Sequence, residues 1–158
     1  MTHRLIASIL LLAASAPAQQ SNWLPVGGGC IGACGGYPWL DTGGAPAAVG
    51  QPISFNVAPL QLGTPVMLYG GTLLPVQIDL GAIFSAPSCF LITDAAAGVV
   101  LSGVAGRPES SGYSANFGLV VPNDQALVGL LVAFQALALD ACTTSGVVLS
   151  WGAAAVLQ

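Results

Sequence analysis

Apolar residues recur at every second position over several short stretches of this chain, the period of a half-buried strand rather than of a helix. Ile53, Phe55 and Val57 alternate with Ser54 and Asn56; Val76, Ile78 and Leu80 alternate with Gln77 and Asp79. Tyr113, Ala115, Phe117, Leu119 and Val121 continue the pattern over a longer stretch that ends at the turn-forming Pro122-Asn123-Asp124. Further strands are expected near 65–69, 89–93, 99–104 and 146–151. Residues 126–139 are almost wholly apolar, with Gln135 inside the run. Their Ala and Leu content suits a buried helix, but Gly129 and the preceding turn favour a central strand covered on both faces. The expected fold is therefore all-β: a single β-sandwich, Ig-like or jelly-roll-like, of about eight strands.

The first residues break this pattern. Met1-Thr2-His3-Arg4 carries positive charge, residues 5–14 are apolar, and Ala16-Pro17-Ala18 places small residues where a signal peptidase reads. The apolar run is too short to span a bilayer. A cleaved signal peptide over 1–18 and one β-domain over 19–158 are expected. The mature chain then has 158 less 18, or 140 residues, enough for one domain with a real core. This predicts a secreted or extracytoplasmic protein, in the periplasm, at the cell surface or in the medium, with no transmembrane segment after cleavage.

Charge narrows the function classes. Without the leader the chain has no His and no Lys, and Arg107 is its single base against six acids. One cation cannot displace counterions from a phosphate backbone, so nucleic acid is excluded as a partner. A Ser or Cys nucleophile normally needs a neighbouring base, usually His, and none remains. Catalysis would fall to carboxylates, and Asp41, Asp79, Asp94, Glu109, Asp124 and Asp140 are scattered singly along the chain. Asp124 and Asp140 read as turn caps, and Asp79 as a solvent-facing strand residue. Nothing resembles an acidic calcium loop, and neither a metal nor a cofactor is expected.

Four cysteines in an exported domain point to two disulfides. Cys30 and Cys34 share a loop rich in glycine, Gly27-Gly28-Gly29-Cys30-Ile31-Gly32-Ala33-Cys34-Gly35-Gly36. Joining them to each other would stabilise by roughly 2 kcal/mol, whereas links to Cys89 and Cys142 would give roughly 4 to 5 kcal/mol each. The expected pairing is Cys30 with Cys89 and Cys34 with Cys142, and the crossed pairing is the alternative. A zinc site is disfavoured, because no His and no second close Cys pair completes a tetrahedron.

Tyr37 and Trp39, two apart beside the glycine loop, can present rings on one face, as in sugar-binding β-modules. Trp23 and Trp151 carry less of that signal. The leading functional expectation is a non-catalytic structural or interaction module that contacts envelope or extracellular proteins or another copy of itself. A carbohydrate-binding module using Tyr37 and Trp39 is the second reading. A glycoside hydrolase working with two carboxylates is the third, and it requires two acids facing each other across a cleft.

Several phrases also carry a resemblance: Gly29-Cys30-Ile31-Gly32, Leu62-Gly63, Leu74-Pro75 with Asp79-Leu80, and Cys89-Phe90-Leu91 with Asp94. Val121-Pro122-Asn123-Asp124, Gly129, Gln135 and Leu139-Asp140 extend it to the end of the chain. Together they resemble a family of short exported bacterial proteins that also occur as C-terminal modules of larger exported proteins. The resemblance implies a fold and a shared cysteine pair at the positions of Cys30 and Cys89, and no activity. Cys34 and Cys142 depart from the family pattern, as does Ser88, where a Gly commonly precedes the second Cys.

Overall fold

A computed structural model describes residues 21–30, 38–84, 89–94, 98–139, 141 and 146–158. The expected leader, Cys34, Tyr37, Asp140 and Cys142 lie outside them. Among the described residues the chain is all-β, with two sheets, one disulfide and a single four-residue helix, α1 (Gly81–Phe84).

The larger sheet holds β1 (Leu24–Val26), β4 (Pro65–Asp79), β5 (Phe90–Thr93), β6 (Val99–Val104), β9 (Leu131–Leu139), β10 (Val147–Leu149) and β11 (Gly152–Val156). Its path runs β1-β11-β9-β4-β5, with β10 added to β9 and β6 to β4. The smaller sheet, ordered β2-β3-β8-β7, is built from β2 (Trp39–Asp41), β3 (Pro52–Leu60), β7 (Arg107–Glu109) and β8 (Gly112–Val120).

Alternation explains how the two sheets share one core. Ile53, Phe55 and Val57 of β3 and Ala115 and Phe117 of β8 turn the same way, and they meet Val66 and Leu68 of β4 and Phe134, Ala136 and Ala138 of β9 in one cluster. The Phe55 and Phe134 rings lie 4.5 Å apart across it. Trp23 stands edge-on to both, at 5.6 and 5.8 Å, and its indole N–H donates to the Ala45 carbonyl at 2.9 Å. That bond removes the cost of burying a polar tip inside an apolar cluster.

Residues 126–139 divide. Leu131–Leu139 is the expected central strand, flanked by β4 and β11, and Ala133, Phe134, Gln135 and Ala136 are buried in succession. The five residues before it are not strand. Asp124 accepts from the Ala126 N–H at 2.9 Å and starts a 3-10 turn over Gln125–Leu127, and Gly129 follows at φ +87°. A short Asx cap and a left-handed glycine end the extended conformation there.

A second correction concerns Val76 and Ile78, which are exposed rather than half-buried. The segments near 65–69 and 76–80 belong to one 15-residue strand, β4. Its first half alternates as expected between β6 and β9, but Thr72 is the last residue paired to β9. Beyond that point only β5 remains alongside, in a register that jumps from Leu73↔Thr93 to Ile78↔Leu91. Val76 is consequently 76% exposed. Val76→Ser is therefore expected to change the unfolding free energy by no more than about 0.5 kcal/mol in a urea titration, while Val57→Ser, in the core, costs several times that.

Eleven strands are present among the described residues where about eight were expected. Two of the expected strands are the single β4, and four are additions: the three-residue β1, β2 and β7, too short to show a period, and β11. The sequence of β11, Gly-Ala-Ala-Ala-Val, has low strand propensity. At its first residue there is no room for a side chain: a Cβ at Gly152 would be driven into the Ile92 side chain.

Candidate functional site

The smaller sheet has an outer face as well as a core face, and β2 decides what stands at its edge. Leu40 packs against the core, so Trp39 and Asp41 turn outward, in register with Ala58 and Asn56 of β3. Trp39 is left 62% exposed. The Trp151 backbone N–H donates to the Pro38 carbonyl at 3.2 Å, which brings a second indole, 47% exposed, to the same edge.

Between them is a cleft of about 500 Å³. Leu40, Pro59 and Ser111 line it from the side of the smaller sheet, and Pro25 and Gly152 from the larger one, with Trp39 and Trp151 completing the wall. Among the described lining residues Ser111 carries the one side-chain hydroxyl. The described lining is almost wholly apolar.

A polar cluster occupies the outer face next to this cleft. Ser111 lies in the turn that joins β7 to β8, and Glu109 is two residues before it. The Glu109 carboxylate reaches back over the sheet, where its Oε1 accepts from Ser114 Oγ at 3.0 Å and from Asn56 Nδ2 at 3.3 Å. Arg107 Nε stands 3.8 Å from the same oxygen. Asn56 Nδ2 also donates to Ser114 Oγ at 3.4 Å.

The other acids do different work. Asp41, Asp79 and Asp124 each accept from a backbone N–H two residues on, at 3.1, 2.7 and 2.9 Å, the geometry of Asx turns. For Asp124 this is the cap expected from sequence; Asp79 is exposed and closes the end of β4. No carboxylate is among the described residues lining the cleft, and no three His, Cys, Asp or Glu among the described residues converge as a metal site would require.

Cys30 and Cys89 form a disulfide, both fully buried, across a sequence separation of 59. The pair is woven into the ladder: Cys30 N–H donates to Leu149 O at 3.0 Å, Phe90 N–H to Gly28 O at 2.9 Å, and Leu80 N–H to Cys89 O. Gly28 can lie this close only without a side chain, because at φ +134° a Cβ would sit 2.7 Å from Ile92 Cγ2. The expected partnership of Cys34 with Cys142 falls outside the described residues.

Trp39 stands exposed at the cleft, and so does Trp151, which carries less of the signal in the sequence. The signal that identifies it is the glycine beside it, since Gly152 is needed for the close approach of β11. Glu109, Asn56 and Ser114 come from three different strands and carry no joint sequence signal. Comparisons with protein-family models, with curated proteins and with solved structures gave no match. Among the described residues no helix is long and apolar enough to cross a membrane.

Proposed function

We propose that this chain is an exported, non-catalytic β-sandwich module that acts by holding a partner at the Trp39–Trp151 cleft. The single observation that carries the reading is the exposure of two tryptophans lining one cleft. Indoles are the side chains a small domain gains most from burying, and contact sites concentrate them. Covering each ring with a partner is worth about 2 kcal/mol from area alone. The sandwich reading is supported by the shared core of the two sheets. Export is supported by the buried Cys30–Cys89 bond, since such bonds persist in oxidising compartments. The non-catalytic reading is supported by the described part of the cleft lining, rings, prolines and one hydroxyl, among which no acid and base pair stands.

The test compares the purified chain with the variant carrying Trp39→Ala and Trp151→Ala, each applied to envelope and extracellular material of the producing cell. The native chain is retained, and the double variant elutes with retention reduced at least about tenfold at an unchanged urea midpoint. Equal retention of the two chains would overturn the reading.

A further inference from the structure

We infer that the partner held at this site is a neutral glycan, one sugar ring of which stacks on Trp39 while the hydroxyls of the next reach the Glu109–Asn56–Arg107 cluster. The inference rests on the reading of the Trp39–Trp151 cleft as the contact face and adds the chemistry of what it contacts.

A pyranose with equatorial hydroxyls is apolar on its faces and polar around its rim. It therefore asks a protein for two things side by side: an aromatic plane, and fixed donors and acceptors beyond the plane's edge. The outer face of the smaller sheet offers both. Trp39 pairs with Ala58 on β3, and Asn56, two residues along the same strand and face, holds Glu109 Oε1 at 3.3 Å. Neighbouring strands lie about 4.8 Å apart, so the carboxylate sits within about two strand spacings of the Trp39 backbone. One sugar on the indole leaves the carboxylate to the next sugar in a chain, and a monosaccharide cannot touch both.

The carboxylate is also held in advance. Ser114, Asn56 and Arg107 all address Oε1, which leaves Oε2 as a positioned acceptor for a sugar O–H. Ser114 is buried, so the anchor does not move with solvent. Arg107, its side chain 68% exposed, is a donor for the adjacent hydroxyl. A carboxylate beside a guanidinium matches the donor and acceptor sides of a vicinal diol.

Charge selects among glycans. No charged residue is among the described cleft lining, and the one base on this face already faces Glu109. With a formal net charge of −4, the chain repels an anionic polysaccharide. A peptide laid along the cleft would use its apolar wall and leave the polar cluster idle.

The experiment titrates the oxidised chain with cellohexaose and with chitohexaose, by calorimetry and by the indole N–H signals in a proton–nitrogen correlation spectrum. Saturable binding of at least one probe is expected, with Trp39→Ala weakening it at least about tenfold and Glu109→Gln severalfold, each at an unchanged urea midpoint. Binding that Glu109→Gln leaves unaltered would overturn the assignment of the sheet face. Absence of binding to both probes would overturn the glycan itself, as would retention on envelope material that survives periodate cleavage of vicinal diols. In either of those last cases the cleft as contact face is judged independently, by the Trp39→Ala, Trp151→Ala retention measurement.

Discussion

Replacing Cys30 and Cys89 together by serine lowers the unfolding free energy by about 4 kcal/mol, the loop-closure value for a cross-link spanning 59 residues of sequence separation. Domains of this size are stable by about 5–15 kcal/mol in all, so the variant approaches the edge of folding at body temperature. The mechanism acts mainly on the unfolded chain, which gains the freedom the bond denied it. Urea titration of the oxidised native chain and the double variant measures the effect, and the variant's slope should be steeper because its denatured state is more expanded. Reductant added to the native chain should act at the rate of unfolding, because both cysteines are fully buried. A double variant within about 1 kcal/mol of the native chain would contradict the account, since loop closure predicts several times that loss.

The second large effect is expected at Gln135. Its side chain is fully buried, and its amide serves four backbone groups from segments distant in sequence. Oε1 accepts from Ile92 N–H at 3.1 Å, while Nε2 donates to Phe90 O at 2.9 Å, to Ser150 O at 3.0 Å and to Gly28 O at 3.4 Å. One side chain thereby supplies the bonds that a missing strand would have made between β5, the disulfide segment and the end of β10. Gln135→Leu keeps the volume and removes every bond. Each buried group left without a partner costs about 1–3 kcal/mol, and the expected total is about 3–5 kcal/mol. Native-state hydrogen exchange locates the damage: the Ile92 amide loses protection first, while amides of β3 and β8 change only with global stability. Loss of protection spread evenly over both sheets would mean that Gln135 is ordinary core filling.

How much of this was legible in the sequence depends on the range of the interactions concerned. β3 and β8 were readable because their alternation is local and their inner residues all meet one core. The Cys30–Cys89 bond was readable in outline, because loop closure ranks long links above short ones whatever the fold. Gln135 stood out as a polar residue in an apolar run, but its partners lie 15, 43, 45 and 107 residues away, and nothing local foretells them. Val76 and Ile78 show the limit of periodicity: alternation indicates which residues could face a core, and the outrun of β4 past β9 decides that none is there. β11 left no mark for the opposite reason, since its glycine and alanines have low strand propensity and show no alternation. At the site, Trp39 was visible beside the glycine loop. The cluster around Glu109 depends on Asn56, 53 residues earlier, arriving on β3, two strands away across β8.

For the proposed contact face, the cleft flanked by Trp39 and Trp151, the chain contains its own reporters, since it has three tryptophans. Trp23 is buried in the core with its indole N–H bonded to Ala45, and the other two stand in the cleft. Titrating a nitrogen-labelled chain with solubilised envelope and matrix material should move the Trp39 and Trp151 indole signals and leave that of Trp23 in place. Binding that shifts backbone signals elsewhere while both cleft indoles stay fixed would contradict the account.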